Sequence, residues 1–172
     1  FELELDMEID VSMDLSQSTM GHREGMYRMS KMFAVAGEQT DIPTTIYGWE
    51  GFGKTGHYAL KERTSNDLSQ LDSIFQLPGG GTPTAEGIAF ARARLSKSKA
   101  SFKLLPIITD GQPSGGSNAV EKAAEQVRLA RAEGISVLGF GFKGVSAKAM
   151  DNVFGSGKWV DIDRYEEAAE VV

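Results

Sequence analysis

The chain is expected to fold as an α/β domain, a doubly wound, Rossmann-like and mostly parallel sheet with helices on both faces. Three observations point there. Strand-like apolar runs alternate with amphipathic helical patterns along nearly the whole length. Two of those runs end in an aspartate, Asp14 and Asp110, and glycine-rich turns punctuate the units. At 172 residues, with 41% hydrophobic and 24% charged side chains, the chain has the size and make-up of one globular domain, taken as residues 1–172.

From Leu3 to Met13 every odd position is apolar and every even one acidic or serine, the period of a strand with one wet face. A central strand of such a sheet is ordinarily apolar on both faces. Asp10 and Ser12 therefore require either a strand that projects beyond its covering helices or buried partners. Gly21 to Ala36 puts Met26, Met29, Phe33 and Ala36 on one helical face, a core-packing stripe. Ile42 to Trp49 reads as a strand, Gly51 to Gly56 as a turn, Tyr58 to Lys61 as a short return strand and Ser69 to Leu77 as a short helix. Thr82 and Pro83 supply an N-cap and a first-turn proline for a helix whose inner face is Ala85, Ile88, Ala91 and Leu95. Phe102 to Thr109 is a strand. Ser114 to Ser117 is a flexible loop, and Asn118 with Glu121 has capping-box spacing. The following helix buries Val120, Ala123, Val127 and Ala130 and stops at Gly134. Ile135 to Phe142 is a strand, Ser146 to Phe154 a helix, Trp159 to Ile162 a strand and Tyr165 to Val172 a last helix.

Composition removes several function classes. A net charge of −6 argues against nucleic acid, which asks for a basic face. No apolar run approaches the ~18 residues of a membrane span. With no cysteine there is no disulfide, no cysteine–zinc site and no thiol nucleophile, and an intracellular setting is favoured. The chain opens at Phe1 and is expected to be a fragment of a longer protein.

The first strand runs into Met13-Asp14-Leu15-Ser16-Gln17-Ser18-Thr19. Asp-x-Ser-x-Ser at a strand end gathers one carboxylate and two hydroxyls, hard oxygen donors that suit Mg²⁺ or Mn²⁺ better than zinc. Alone, such a turn is equally read as a hydrogen-bonded loop cap. Two later stretches strengthen it: Gly79-Gly80-Gly81-Thr82-Pro83-Thr84, which opens a helix, and Leu104-Leu105-Pro106-Ile107-Ile108-Thr109-Asp110-Gly111, an apolar strand ending in Asp-Gly. In a doubly wound sheet, ligands bind outside the carboxyl ends of the strands where strand order reverses. Asp14, Thr82 and Asp110 are thereby expected around one crevice.

These three stretches, in this order, resemble the von Willebrand factor A-type domain and its metal-ion-dependent adhesion site, and the resemblance covers nearly the whole chain. It implies metal ligation by Asp14, Ser16, Ser18, Thr82 and Asp110. Ser16 and Ser18 would ligate directly, and Asp14, Thr82 and Asp110 directly or through water. Mg²⁺ is the implied ion, with Mn²⁺ or Ca²⁺ as alternatives. The implied function is a non-catalytic protein–protein interaction module whose metal keeps an open position for an Asp or Glu of a partner. The run Gly79-Gly80-Gly81-Thr82-Pro83-Thr84-Ala85-Glu86-Gly87 is similar to intracellular members, the corresponding domains in the T-subunit of cobaltochelatase and the D-subunit of magnesium chelatase. That similarity implies a cytoplasmic setting and a partner that is an AAA+ ATPase or another subunit of such a complex. Gln17 stands where the family often has Gly, which crowds the turn.

One motif competes. Gly48-Trp49-Glu50-Gly51-Phe52-Gly53-Lys54-Thr55 fits the phosphate-binding loop pattern, and Asp110 could then hold Mg²⁺ in a nucleotide hydrolase using Lys54. Such a loop must open a helix, yet Gly56-His57-Tyr58-Ala59-Leu60 follows without a helical stripe, and Trp49 and Glu50 would crowd and repel phosphates. Otherwise it is a glycine-rich hairpin turn with Lys54 exposed. A third reading, an extracellular adhesin domain, is disfavoured by the cysteine count and the lack of a secretion segment. His22 and His57 have no nucleophile beside them. His22 is expected at a helix start, with a place in the crevice as the alternative. Trp49 and Phe52 are either exposed contacts near the crevice or core.

Overall fold

The computed structural model describes residues 6–77, 79–142 and 144–163. Its strands are β1 (Met7–Asp14), β2 (Thr44–Glu50), β3 (Gly56–Lys61), β4 (Phe102–Thr109), β5 (Ile135–Gly141) and β6 (Trp159–Asp161). The helices are α1 (Arg23–Gln39), α2 (Thr84–Leu95), α3 (Ala119–Ala132) and α4 (Ala147–Phe154). In space the strands lie in the order β3-β2-β1-β4-β5-β6, all parallel except the β2–β3 hairpin. The chain leaves β1 toward β2 on one side and resumes at β4 on the other, so strand order reverses between β1 and β4, as the doubly wound reading requires.

Each face of the sheet carries its own core. Ile9, Val11 and Met13, the odd positions of β1, pack with Met26 and Ala34 of α1 and with Ile46, Leu60, Leu71 and Ile74. On the other face Leu105 and Ile107 of β4 meet Ile88, Ala91 and Leu95 of α2, Ala123 and Val127 of α3, and Phe154 of α4.

The even positions of β1 are not wet: of the two alternatives for Asp10 and Ser12, buried partners is the one found, and the strand does not project beyond its helices. Glu8, Asp10, Ser12 and Asp14 are all buried. Glu8 forms an ion pair with Arg63. Arg94 of α2 forks onto Asp10, with Nε 2.8 Å from Oδ2 and Nη2 2.7 Å from Oδ1. Ser12 Oγ accepts a hydrogen bond from Trp49 Nε1 at 2.8 Å. Buried polar groups on a central strand are tolerated because each has a partner.

Other boundaries shift for local reasons. A 3-10 turn (Gln17–His22) precedes α1, and the buried stripe of that helix is Met26, Ser30, Ala34 and Gly37, with Met29 and Phe33 flanking it and Ala36 exposed. Ser30 is buried because its hydroxyl returns to the carbonyls of Met26 and Tyr27 at 2.9 and 3.0 Å. The expected helix at Ser69–Leu77 is only a 3-10 turn (Leu71–Phe75). Asn118 makes no capping bond, so the capping box does not form. Thr82 is not the N-cap of α2 either: Pro83 holds that position without a side-chain cap, and the Thr84 amide bonds the Thr82 carbonyl at 2.9 Å. Ser146 does cap α4, accepting from the Ala149 amide at 3.2 Å. The helix expected at Tyr165–Val172 and the strand start at Leu3–Leu5 lie outside the described residues.

Candidate metal centre

Register brings the predicted residues to one end of the sheet. Met13 of β1 pairs with Ile108 of β4, which sets Asp14 beside Thr109 and places Asp110 immediately beyond. Asp14 is completely buried. Its Oδ1 accepts from the Ser16 amide at 2.9 Å and its Oδ2 from the Thr109 hydroxyl at 2.8 Å. The Ser16 and Ser18 hydroxyls are 3.1 Å apart. Thr109 Oγ1 also accepts from the Gly111 amide at 3.1 Å, which shapes the turn after Asp110.

The glycine-rich loop docks on the serine turn through its backbone. The Gln17 amide donates to the Gly80 carbonyl at 2.9 Å, and the Gly51 amide to the Gly81 carbonyl at 3.3 Å. A Cβ at Gly79 would fall 2.3 Å from the Gln17 Cα. The backbone of the serine turn thus approaches the facing loop so closely that only glycine fits there. Thr82 is tied to the third loop: its amide donates to Ser114 Oγ at 2.7 Å and its carbonyl accepts from the Ser114 amide at 2.9 Å. Ser16 therefore meets both Asp14 and Ser18, Asp110 acts on Asp14 as a like charge, and the Thr82 segment is bonded to the loops on either side.

Burial pushes the Asp14 carboxyl up to about 7; the bonds from Ser16 and Thr109 oppose the shift and the charge of Asp110 adds to it. A cation at this point would remove the same penalty. The donors available are hard oxygens, two carboxylates and the hydroxyls of Ser16, Ser18 and Thr82. Among the described residues no group of three or more His, Asp or Glu converges into an all-anionic or imidazole cage. That set fits Mg²⁺ or Mn²⁺, which accept oxygen donors and retain waters, rather than a nitrogen- and sulfur-seeking ion.

Sequence reading missed two participants. Thr109 is the hydroxyl-bearing residue that braces Asp14, and its signal lay in the Thr-Asp-Gly ending of β4. Arg23 lies behind the serine turn, buried, with Nε 3.0 Å from Thr19 Oγ1 and Nη2 2.8 Å from the Leu15 carbonyl. Nothing local distinguishes it from any arginine at a helix start.

The remaining candidates fall away from the crevice or to its rim. His22 stacks on Phe142 with ring centres 5.2 Å apart, at the start of α1. His57 stacks on Phe90 at 3.9 Å, and burial, with Arg94 next, lowers its pKa. Trp49 is core. Phe52 is 77% exposed on the β2–β3 turn, its ring against Gly81. The Gly48–Thr55 motif spans the end of β2 and a turn with Gly51 and Gly53 at φ 145° and 76°, and it enters β3 instead of a helix. No helix N-terminus is there to hold a phosphate, which corrects the nucleotide reading.

Comparison with known proteins agrees with this fold. The model of the von Willebrand factor type A domain matches residues 12–166. Among solved structures, the chain is similar to the pilus adhesin SpaC from Lactobacillus rhamnosus GG in its open conformation, at TM-score 0.68 and 15% identity over 96% of this chain and 30% of that one. It is also similar to proximal thread matrix protein 1 from the mussel byssus with a zinc-occupied MIDAS motif, at TM-score 0.70 and 18% identity over 96% and 44%. A third is the manganese-loaded TRAP protein of Plasmodium vivax, at TM-score 0.71 and 14% identity over 98% and 73%. At these identities the likeness is one of fold, and the chain spans less than half of the first two proteins. No curated protein matches the chain. Because the family model runs across the serine turn, the glycine-rich loop and the end of β4 together, the chain belongs to the von Willebrand factor type A domain family.

Proposed function

We propose that the domain is a divalent-cation-dependent protein-binding module. Ser16 and Ser18 ligate the ion directly, and Asp14, Thr82 and Asp110 do so directly or through water. Mg²⁺ is the cellular ion. A cation with so few anionic ligands keeps its electrophilic character, and an Asp or Glu of a partner protein completes its shell. The observation that carries the reading is Asp14: fully buried, raised by burial and by Asp110, and hydrogen-bonded only to neutral donors. The zinc- and manganese-bearing neighbours of the same fold support a divalent cation. No residue is assigned a catalytic role.

The partner is an AAA+ ATPase or another subunit of a chelatase-like complex, and the setting is cytoplasmic. Support comes from the Gly79–Gly87 run and the absence of cysteine. Phe52, exposed beside Gly81, is the rim contact for that partner.

Calorimetry with Mg²⁺, Mn²⁺ and ATP tests the module. Metal binding that disappears in Asp14→Ala, with no heat from ATP, is the expected result; ATP binding that disappears in Lys54→Ala is the contrary one. Affinity capture of the full-length protein in Mg²⁺ should retain an ATPase that EDTA or Phe52→Ala releases. A surface location in fractionated cells would transfer the module to an adhesin.

A further inference from the structure

We infer that Arg23 is a positioning residue for the metal: its guanidinium presets the turn carrying Ser16 and Ser18 and fixes that turn to the segment leading into Thr82. The inference rests on the metal-binding reading above. The geometry is specific. Arg23 is only 3% exposed, and its fork reaches acceptors on two separate stretches of chain. Nη2 donates to the Leu15 carbonyl at 2.8 Å and to the Ser16 carbonyl at 3.4 Å. Nε donates to Thr19 Oγ1 at 3.0 Å, and that hydroxyl donates onward to the Ser16 carbonyl at 2.7 Å. Nη1 donates to the Ile74 carbonyl. Neither the Leu15 nor the Ser16 peptide can rotate without breaking these bonds, so the hydroxyls of Ser16 and Ser18 are held in register.

Ile74 belongs to the 3-10 turn that leads toward the glycine-rich loop and Thr82. Together with the Gln17–Gly80 bond, Arg23 thus joins the serine turn to that segment at a second level. Its charge has a separate meaning. Among the described residues Arg23 makes no ion pair: its fork is spent on carbonyls and a hydroxyl. The guanidinium therefore shapes the site and meets the Asp14 charge only through space, leaving its oxygens without a bond from a cation. A lysine would keep the charge but cannot spread planar donors over these acceptors.

The test uses the whole 172-residue chain and Mn²⁺ alone, with calorimetry for affinity, electron paramagnetic resonance for the bound ion's environment and circular dichroism for the fold. Wild type should bind Mn²⁺. Arg23→Lys should bind it about 10–100-fold more weakly, the loss expected when an outer partner of a metal ligand is removed, with an altered Mn²⁺ spectrum. Leu95→Ala, a core truncation at the other end of α2 from Thr82, should lower the melting temperature yet keep affinity within about twofold. Should Arg23→Lys fail to fold, Thr19→Val removes the hydroxyl that relays Arg23 to Ser16, and a several-fold loss is expected. Wild-type affinity in Arg23→Lys, or in Thr19→Val where that variant decides, overturns the inference. So does a loss that Leu95→Ala reproduces. A wild-type chain that binds no Mn²⁺ overturns the metal reading itself and this inference with it.

Discussion

Asp10 and Asp14 lie on the same face of β1, both buried and both with carboxyls raised by burial, and they differ in the partners bonded to them. Asp10 receives both arms of Arg94, whose guanidinium also sits 4.0 Å from the Tyr47 ring centre and 4.7 Å from that of Phe90. Its charge is answered inside the chain. Asp14, at the carboxyl end of the strand, is given a backbone amide and a threonine hydroxyl, and a second carboxylate stands nearby. Neutral donors satisfy its lone pairs, and the cation that feels its charge, Arg23, makes no hydrogen bond to it, which is costly in a buried place. Arg23, buried beside this loop, gives its donors to carbonyls and a threonine hydroxyl instead. On the proposed reading the difference separates structure from function along a single strand: the lower carboxylate holds a helix to the sheet, and the upper one is the one a cation would meet.

Replacing each aspartate by its amide should break the comparison most sharply. Asp14→Asn is expected to weaken Mn²⁺ binding by at least ~100-fold in calorimetry, while the metal-free melting temperature stays level or rises, because a buried charge is gone. Asp10→Asn is expected to do the reverse. It leaves the Arg94 charge without its partner and should cost about 2 kcal/mol in denaturant unfolding, below the value for a wholly buried pair because Arg94 keeps some exposure, with Mn²⁺ affinity unchanged.

Acidity should sharpen the same contrast. The Asp14 carboxyl moves from an ordinary 3.8 to about 7 in the folded, metal-free domain. Between those values the folded state holds a proton that the unfolded chain has released. Stability of the metal-free domain therefore falls as pH rises from 3.8 to about 7. A metal must displace that proton, so Mn²⁺ affinity should fall by up to ~tenfold per pH unit below about 7 and level off above it, as read by titration at several pH values. The smallest effect is expected from Thr109→Val. Losing the hydroxyl bonds to Asp14 and Gly111 should cost about 1 kcal/mol in unfolding and move the metal-affinity profile to higher pH, since that bond favours the ionised carboxylate.

The parts of this picture legible in the sequence are those written in local pattern. Alternation located β1, the apolar run Phe102–Thr109 gave β4 at its observed bounds, and the two strand-ending aspartates fell at the reversal of strand order. What escaped depends on partners far away along the chain. That Ser12 and Asp10 could have buried partners was legible, but not that these are Trp49 and Arg94, from 37 and 84 positions away. Capping was misjudged at Thr82 and Asn118 because residue type permits a cap but the backbone path decides it. At Thr82 the path is set by bonds to Ser114, a loop no local pattern connects to it. Gly79 likewise carried no local sign that a Cβ there would meet the backbone of Ser16 and Gln17.

The most direct test is a crystal of the chain grown with Mn²⁺ at pH 8 and measured at the manganese absorption edge. The account predicts one anomalous peak in contact with the hydroxyls of Ser16 and Ser18, with Asp14, Thr82 and Asp110 around it directly or through water, and none beside Asp10. A map without a peak at those hydroxyls, or with the ion held elsewhere, would contradict it.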